Sequence, residues 1–148
     1  MIDHSALRRL CSTRVRGRAA VATAVLRIAA GTVFVLTALP KFLLHDVELA
    51  EFVRYGLPPS SLLVHLVGLL ELGGGILLVL GLATRVVALG LALNMVGAVL
   101  TAGVRVGGWF HLGVAPALLL AMLYLLWAGS GAWALDRRLS AGVRRSAA

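Results

Sequence analysis

Three polar residues interrupt long apolar stretches of the sequence and are its clearest candidates for chemistry: Arg27, Glu71 and Asn94. If those stretches cross a membrane, each charge costs about 2.5–3.5 kcal/mol at mid-depth and must face a bundle interior or a wet cavity. At about 1.5 Å per helical residue, Arg27 and Asn94 lie ~12–13 Å and Glu71 ~18 Å from the same membrane face. This depth predicts an Arg27–Glu71 ion pair with Asn94 as an amide donor. Tyr124 falls at a similar depth on a fourth apolar stretch.

Small residues surround these polar residues at helical spacing. Gly68, Gly74 and Gly75 stand three or four positions from Glu71, on the same helix face. Small residues at this spacing let membrane helices pack closely, so Glu71 is expected on a contact face. Two interpretations stay open. The polar cluster either fastens the helices together, or it lines a site for a quinone headgroup or for proton transfer.

Histidine and cysteine give weaker signals. His45, His65 and His111 fall toward one side of the predicted membrane region but show no recognised metal-ligand spacing. The sequence therefore predicts no metal site, and haem would need axial histidines at matched depth. The single cysteine, Cys11, excludes an internal disulfide and a dithiol redox centre. No covalently bound cofactor is predicted, and quinone is the cofactor that the polar cluster allows.

Composition indicates which elements position these residues. Of the 148 residues, 60% are hydrophobic and 14% are charged, whereas soluble domains average about 45–50% and about 25%. A helix needs about 20 mostly apolar residues to cross a bilayer, so four crossings nearly exhaust the chain. The fold class predicted is all-α: a polytopic membrane protein forming an antiparallel four-transmembrane-helix bundle, rather than a soluble enzyme.

The turn signals divide the chain into a membrane core and two basic tails. The bundle occupies residues 19–131, and its spans are predicted at about 19–39, 62–83, 86–104 and 112–131. Residues 1–18 and 132–148 form the basic tails. Residues 42–60 form the one substantial loop, in which Val47, Phe52 and Tyr55 predict a short helix at the membrane surface.

The basic residues predict the orientation of the bundle. Ten of the fourteen Lys and Arg lie in the two tails and at Arg85, on one side of the membrane, and three lie on the other. The positive-inside rule then places both termini in the cytoplasm of a multi-pass protein. Thirteen Arg against one Lys suggests a GC-rich bacterial source, and so a bacterial plasma membrane. The net charge of +8 mostly flanks apolar segments, where it meets anionic lipid headgroups, so nucleic acid is not a predicted partner.

Three motifs carry a resemblance to a known family. The first is Leu26-Arg27-Ile28 with Gly31 and Lys41-Phe42; the second runs from Gly68 through Glu71 and Gly73-Gly74-Gly75 to Thr84-Arg85; the third runs from Gly129-Ser130-Gly131 to Leu135-Asp136. Together they cover about residues 26–137 and resemble the DoxX family of small bacterial membrane proteins. The family motif positions in this sequence are Lys41, Gly74, Gly75, Arg85 and Asp136. The chain departs from a Gly-x-x-Lys pattern, because Ala38-Leu39-Pro40 precede Lys41.

The resemblance implies a four-span bundle and a link to membrane oxidoreductase systems. Such systems include thiosulfate–quinone chemistry, oxidant detoxification with superoxide dismutase and sulfurtransferase partners, and amine dehydrogenase maturation. We therefore expect an accessory subunit, non-catalytic or quinone-contacting, that works with a membrane or peripheral oxidoreductase partner. The alternative is a membrane scaffold or assembly factor without a redox role, as distant relatives imply. An oligomer is compatible with either.

Overall fold

Four helices of membrane-spanning length lie within the described part of the chain. The structure is a computed structural model in which residues 13–138 are described, so Cys11 and the outer parts of both basic tails lie outside the described residues. The helices are α1 (Gly17–Leu43), α2 (His45–Arg54), α3 (Ser61–Leu80), α4 (Thr84–Ala98) and α5 (Ala115–Ala128). A π-helical turn, Val99–Gly103, extends α4, and a second, Phe110–Val114, leads into α5. The stretches Gly17–Leu43, Ser61–Leu80, Thr84–Gly103 and Phe110–Ala128 are long and apolar enough to cross a membrane.

The four helices alternate in direction, so the chain enters α1 and leaves α5 at one end of the bundle, here called the terminal end. Helix α2 lies at the opposite end, here called the α2 end. Helix α1 packs mainly against α3, and α4 against α5. Phe34, Leu78, Leu91 and Met122 are completely buried between them, while many other leucines are exposed because lipid surrounds the bundle. The predicted all-α four-helix membrane fold is confirmed.

Two glycines set the close approach of α1 and α3. A Cβ added at Gly75 would lie 2.7 Å from the Gly31 carbonyl oxygen, and one added at Gly31 would lie 2.8 Å from the Gly75 carbonyl oxygen. Both distances are shorter than a carbon–oxygen contact allows. The helix backbones therefore touch at this point, which is the role expected of small residues in membrane helix packing.

Substitution of Gly75 tests this contact. We expect Gly75→Ala to lower the free energy of unfolding in detergent by about 1–3 kcal/mol, because the added methyl group forces α1 and α3 apart. Gly73→Ala is the matched control, since its Cβ would meet nothing within 4 Å. That control should change stability by less than about 1 kcal/mol. Equal stability of the two variants would contradict the close contact.

Helix α1 is longer than the sequence indicated. The first span was expected to end at Leu39, before Pro40-Lys41, but the helix continues through Pro40 to Leu43. Proline is tolerated inside membrane helices because neighbouring groups satisfy the freed backbone carbonyl. The correction matters for the site, because it places Lys41 on the buried face of a membrane helix instead of in a loop.

Side chains cap the first turns of α3 and α4, and the cap of α4 comes from the segment after α5. Ser60 caps α3, with its Oγ accepting a hydrogen bond from the Leu63 N–H at 3.3 Å. At the terminal end, Asp136 caps α4: its Oδ1 accepts from the Ala83 N–H at 2.8 Å and its Oδ2 from the Thr84 N–H at 3.1 Å. The segment after α5 therefore folds back over the α3–α4 turn and satisfies the free amides at the start of α4.

Candidate functional site

An ion pair lies inside the bundle, in the half toward the α2 end. Lys41 Nζ on α1 lies 2.9 Å from Glu71 Oε2 on α3, and both residues are buried, with side chains 11% and 7% exposed. Asn94 on α4 donates from Nδ2 to Glu71 Oε1 at 2.9 Å. Lys41 Nζ also donates to the Thr37 carbonyl one turn earlier, at 3.0 Å. Three helices thus meet at one carboxylate, and we call Lys41, Glu71 and Asn94 the carboxylate triad.

The carboxylate of Glu71 is only half satisfied. Oε1 accepts from Asn94, whereas Oε2 has the Lys41 charge beside it but no well-directed hydrogen bond from any described residue. The Lys41 charge stabilises this oxygen, which can still accept a hydrogen bond from a further donor. Such an atom next to a cavity is a natural contact for a ligand that carries a hydrogen-bond donor.

The triad lines a cavity of about 510 Å³ between the helices, a size that suits a small organic ligand. Most of its wall is apolar. Side chains from α1, α4 and α5 form that part, including Phe34, Met95 and Leu118, and polar groups come from the triad, Thr37 and Thr101. The cavity can therefore hold a ring or chain of low polarity with a few oxygen atoms facing the triad.

Part of the cavity wall is formed by exposed residues of α4 beside α3. Near their shared turn the two helices touch, as a Cβ at Gly74 would lie 3.1 Å from Leu91. Farther toward the α2 end, the cavity wall includes Val67 on α3 with Leu93 and Gly97 on α4. Leu93 is 65% exposed, and a Cβ at Gly97 would meet nothing within 4 Å. Because α4 belongs to a stretch long and apolar enough to cross a membrane, this exposed part of the cavity wall is the part expected to lie nearest the lipid.

Helix α2 and the two π turns form the wall of the cavity at the α2 end. Glu48, Phe52 and Tyr55 come from α2 and its end, Thr101 from the first π turn and His111 from the second. Tyr55 packs edge-on against His111, with ring centroids 5.1 Å apart. Burial, followed by the charges of Glu51 and Glu48, raises the pKa of Tyr55 above its ordinary value, so the phenol stays a neutral donor at pH 7. Single π turns inside membrane helices often mark functional sites.

The predicted Arg27–Glu71 pair is wrong. The Arg27 guanidinium is fully buried and donates to four backbone carbonyls at the terminal end, those of Leu78, Val79, Ser130 and Ala132. Leu78 lies about two helical turns beyond Glu71 on α3, so the two charges occupy different halves of the bundle. Arg27 thus ties α1 to the end of α3 and to the segment after α5. We call Arg27 with these four carbonyls the Arg27 clasp.

The remaining predicted residues also lie at the terminal end. Tyr124 is within 2.9 Å of Thr23 Oγ, and since the Thr23 hydroxyl donates to the Ala19 carbonyl, Tyr124 is the donor in that contact. Arg85 donates to the Trp127 carbonyl at 3.1 Å and so binds the end of α5. With Asp136 at the start of α4, these residues fasten the terminal end. The polar cluster predicted as one site is therefore two: Glu71 and Asn94 belong to the cavity, and Arg27 and Tyr124 do not.

Several residues of the cavity were not predicted as site residues. Glu48, Tyr55 and His111 had been assigned to loops or to the membrane surface, and Thr37 and Thr101 had no assigned role. One signal in the sequence does find Lys41: Arg27, Phe34 and Lys41 are seven residues apart, so they share one helix face. Within residues 13–138, no three His, Cys, Asp or Glu side chains come close enough to hold a metal ion.

Comparison with known proteins gives one family and two similar sequences. The sequence model of the DoxX family matches residues 22–104, which include the whole triad. The chain is 37% identical over 129 residues to a protein of Mycobacterium tuberculosis named "Uncharacterized membrane protein Rv3486", covering 78% of this chain and 79% of that protein. It is 33% identical over 116 residues to a Bacillus subtilis protein named "Putative oxidoreductase CatD", covering 78% and 85%. No solved structure matches the chain.

Proposed function

The chain belongs to the DoxX family, and from that premise we propose that it is a membrane subunit of an oxidoreductase system whose cavity takes the headgroup of a quinone. The observation that carries this proposal is the cavity of about 510 Å³, with an ion pair on its inner wall and exposed residues of α4 in the part of its wall expected to lie nearest the lipid. The name of the Bacillus subtilis relative, "Putative oxidoreductase CatD", points to the same class of chemistry.

The residues of the cavity fit a quinone headgroup. A quinone is a flat, weakly polar ring with two oxygen atoms and an apolar tail. The apolar wall suits the ring, the carboxylate triad and Thr101 offer polar contacts to its oxygens, and the open space at Gly97 leaves room for the tail to stay in the bilayer. A ligand that enters from water would not require a cavity wall exposed on the lipid side.

The chain's own residues hold and orient such a ligand. Lys41 and Asn94 fix the Glu71 carboxylate from two sides, so both of its oxygens keep one orientation. A buried side chain locked in this way gives a site its geometric selectivity. A bound quinone supplies two-electron, two-proton chemistry, and a membrane or peripheral oxidoreductase partner exchanges the electrons with it. The Arg27 clasp holds the bundle together and takes no part in binding.

Purification from native membranes tests this proposal. We expect protein isolated with its native lipids to retain quinone in near-stoichiometric amounts, measured by solvent extraction and mass spectrometry. Gly97→Phe should lose most of the quinone, because the ring fills the open space at this position. Gly73→Phe is the matched control: this glycine also has nothing within 4 Å of its Cβ, but it does not line the cavity. Quinone-free wild-type protein, or equal loss in both variants, would instead favour a scaffold or assembly factor.

We further propose that both termini face the cytoplasm of a bacterial plasma membrane. The proposal rests on the distribution of Lys and Arg: ten lie toward the terminal end, and Arg54 and Arg105 lie toward the α2 end, while Lys41 is buried in the bundle. In a Cys11→Ser background, Ser61→Cys at the exposed start of α3 should react with a membrane-impermeant maleimide in whole cells. Ser146→Cys in the C-terminal tail should react only after permeabilisation. The reverse pattern would invert the orientation.

A further inference from the structure

Two hydrogen-bonding groups at the inner wall of the cavity, one acceptor and one donor, can each take a further partner. Glu71 Oε2 lies 2.9 Å from Lys41 Nζ, but this contact is not a well-directed hydrogen bond, so Oε2 can still accept from a further donor. Lys41 Nζ has three N–H groups: one donates to the Thr37 carbonyl and one faces Glu71. The third is only loosely used, since the nearest other acid, Glu48, is 4.0 Å away. The site thus offers one acceptor that can take a further donor and one available donor side by side.

A hydroxyl group satisfies both members of this pair, whereas a carbonyl group satisfies only the Lys41 donor. A hydroxyl can donate to Glu71 Oε2 and accept from Lys41 with the same oxygen atom. A quinone carbonyl can only accept, so it would leave Oε2 without a further donor and would turn its lone pairs toward a carboxylate. Glu48 adds a second carboxylate to the cavity wall, so a ligand without donors meets repulsion there as well.

We propose that the cavity binds the reduced, hydroxyl-bearing quinol more tightly than the oxidised quinone. Glu71 Oε2 is the atom that distinguishes the two forms. The inference rests on the proposed quinone site and adds the redox form that the site prefers. Its consequence is that the protein receives quinol from the bilayer or retains it after reduction. Glu71 is the selecting residue, and Lys41 and Asn94 are positioning residues because they act by holding its carboxylate.

Three matched probes test the preference on the unaltered protein. The probes are a decyl-trimethyl-hydroquinone, its dimethyl ether and the corresponding benzoquinone, whose fully substituted rings cannot be attacked by protein nucleophiles. Binding is measured without oxygen by equilibrium dialysis against protein in lipid nanodiscs. We expect the hydroquinone to bind about tenfold more tightly than either other probe, as one hydrogen bond to a charged acceptor allows. The dimethyl ether keeps the ring but has no donor, so it separates hydrogen bonding from shape.

Changing the Glu71 carboxylate to an amide tests whether Glu71 Oε2 causes the preference for hydroquinone. Glu71→Gln should reduce the difference between hydroquinone and benzoquinone to less than about threefold, since the amide can also donate to a carbonyl. Asp46→Asn, at an exposed position of α2 outside the cavity, should keep the wild-type preference. If wild-type protein binds the benzoquinone as tightly as the hydroquinone, the redox preference is wrong while the quinone site stands. If no probe binds, both proposals are overturned.

Discussion

Lys41→Met and Glu71→Gln are each expected to lower the free energy of unfolding in detergent by about 3–5 kcal/mol, because each leaves its partner as a lone polar group in a buried site. Lys41→Met leaves a carboxylate inside the bundle, and Glu71→Gln leaves an ammonium group there. The double variant should recover much of the loss, since no charge is then left alone. The effects should be strongly non-additive, as is usual for residues in direct contact.

The exposed pair Arg54–Glu51 on α2 provides a matched control for this cycle. Its atoms are as close as 2.6 Å, but the side chains are 62% and 31% exposed. An ion pair in such a position contributes about 0–1 kcal/mol, so Arg54→Met and Glu51→Gln should each have a small effect. Unfolding of all variants is followed by chemical denaturation in the same detergent. Additive losses at Lys41 and Glu71 would show that the two side chains do not interact.

Arg27→Leu is expected to destabilise the protein by about 3 kcal/mol or more, and by a different route. The guanidinium donates to four carbonyls on two separate segments. The Leu78 carbonyl keeps the Gly81 N–H as a donor, and each buried carbonyl that is left without a donor costs about 1–3 kcal/mol. Arg27→Lys should restore only part of the loss, because an ammonium group cannot reproduce the planar fork of a guanidinium. The loss should be additive with that of Glu71→Gln, since the two residues belong to different clusters.

Hydrogen exchange locates the effect of the Arg27 variants. In the wild type, the Ala132 amide donates to the Ala20 carbonyl and the Asp136 amide to the Gly81 carbonyl. Both amides lie in the segment that the Arg27 clasp holds, so Arg27→Leu should speed their exchange far more than that of amides in the middle of α4. Arg54→Leu, at an exposed position, is the control. Unchanged protection of Ala132 and Asp136 would contradict the clasp.

The membrane fold could be predicted because its signal is spread over the whole chain. Four apolar stretches with few charges leave no other way to satisfy the backbone in a bilayer, and Ser60 marks the start of α3 through its capping side chain. The small residues around Glu71 also indicated that it lies on a contact face of α3, although they did not identify the neighbouring helix. These features depend on composition and local spacing, which a single sequence contains.

The partner of Glu71 could not be predicted by the same reasoning. Depth along the helices allowed Arg27 and Glu71 to meet, but a long arginine side chain can also turn back toward the helix end, and here four carbonyls hold it there. Pro40 was interpreted as the end of the first span, so Lys41 was considered only as a family motif position and not as the partner of Glu71. The seven-residue spacing of Arg27, Phe34 and Lys41 was the better guide.

The shape of the cavity could not be predicted from the sequence, for a further reason. It depends on how α3 and α4 pack and on the π turns Val99–Gly103 and Phe110–Val114. A π turn requires one extra residue in a helical turn and has no strong sequence preference, so its position is set by tertiary packing. The inward position of Phe52, which is 6% exposed, likewise follows from the packing of α2 against the bundle.

The most direct measurement for the quinone site is photoaffinity labelling in native membranes. A quinone with a photoreactive azide on its ring is irradiated with the protein, and the labelled peptides are identified by mass spectrometry. We expect the label on cavity-lining stretches, above all residues 93–102 on α4 and its π turn and residues 34–41 on α1. Excess unlabelled quinone should abolish it, and Gly97→Phe should reduce it strongly. Label spread over the lipid-facing surface, unaffected by competitor or by Gly97→Phe, would contradict the account.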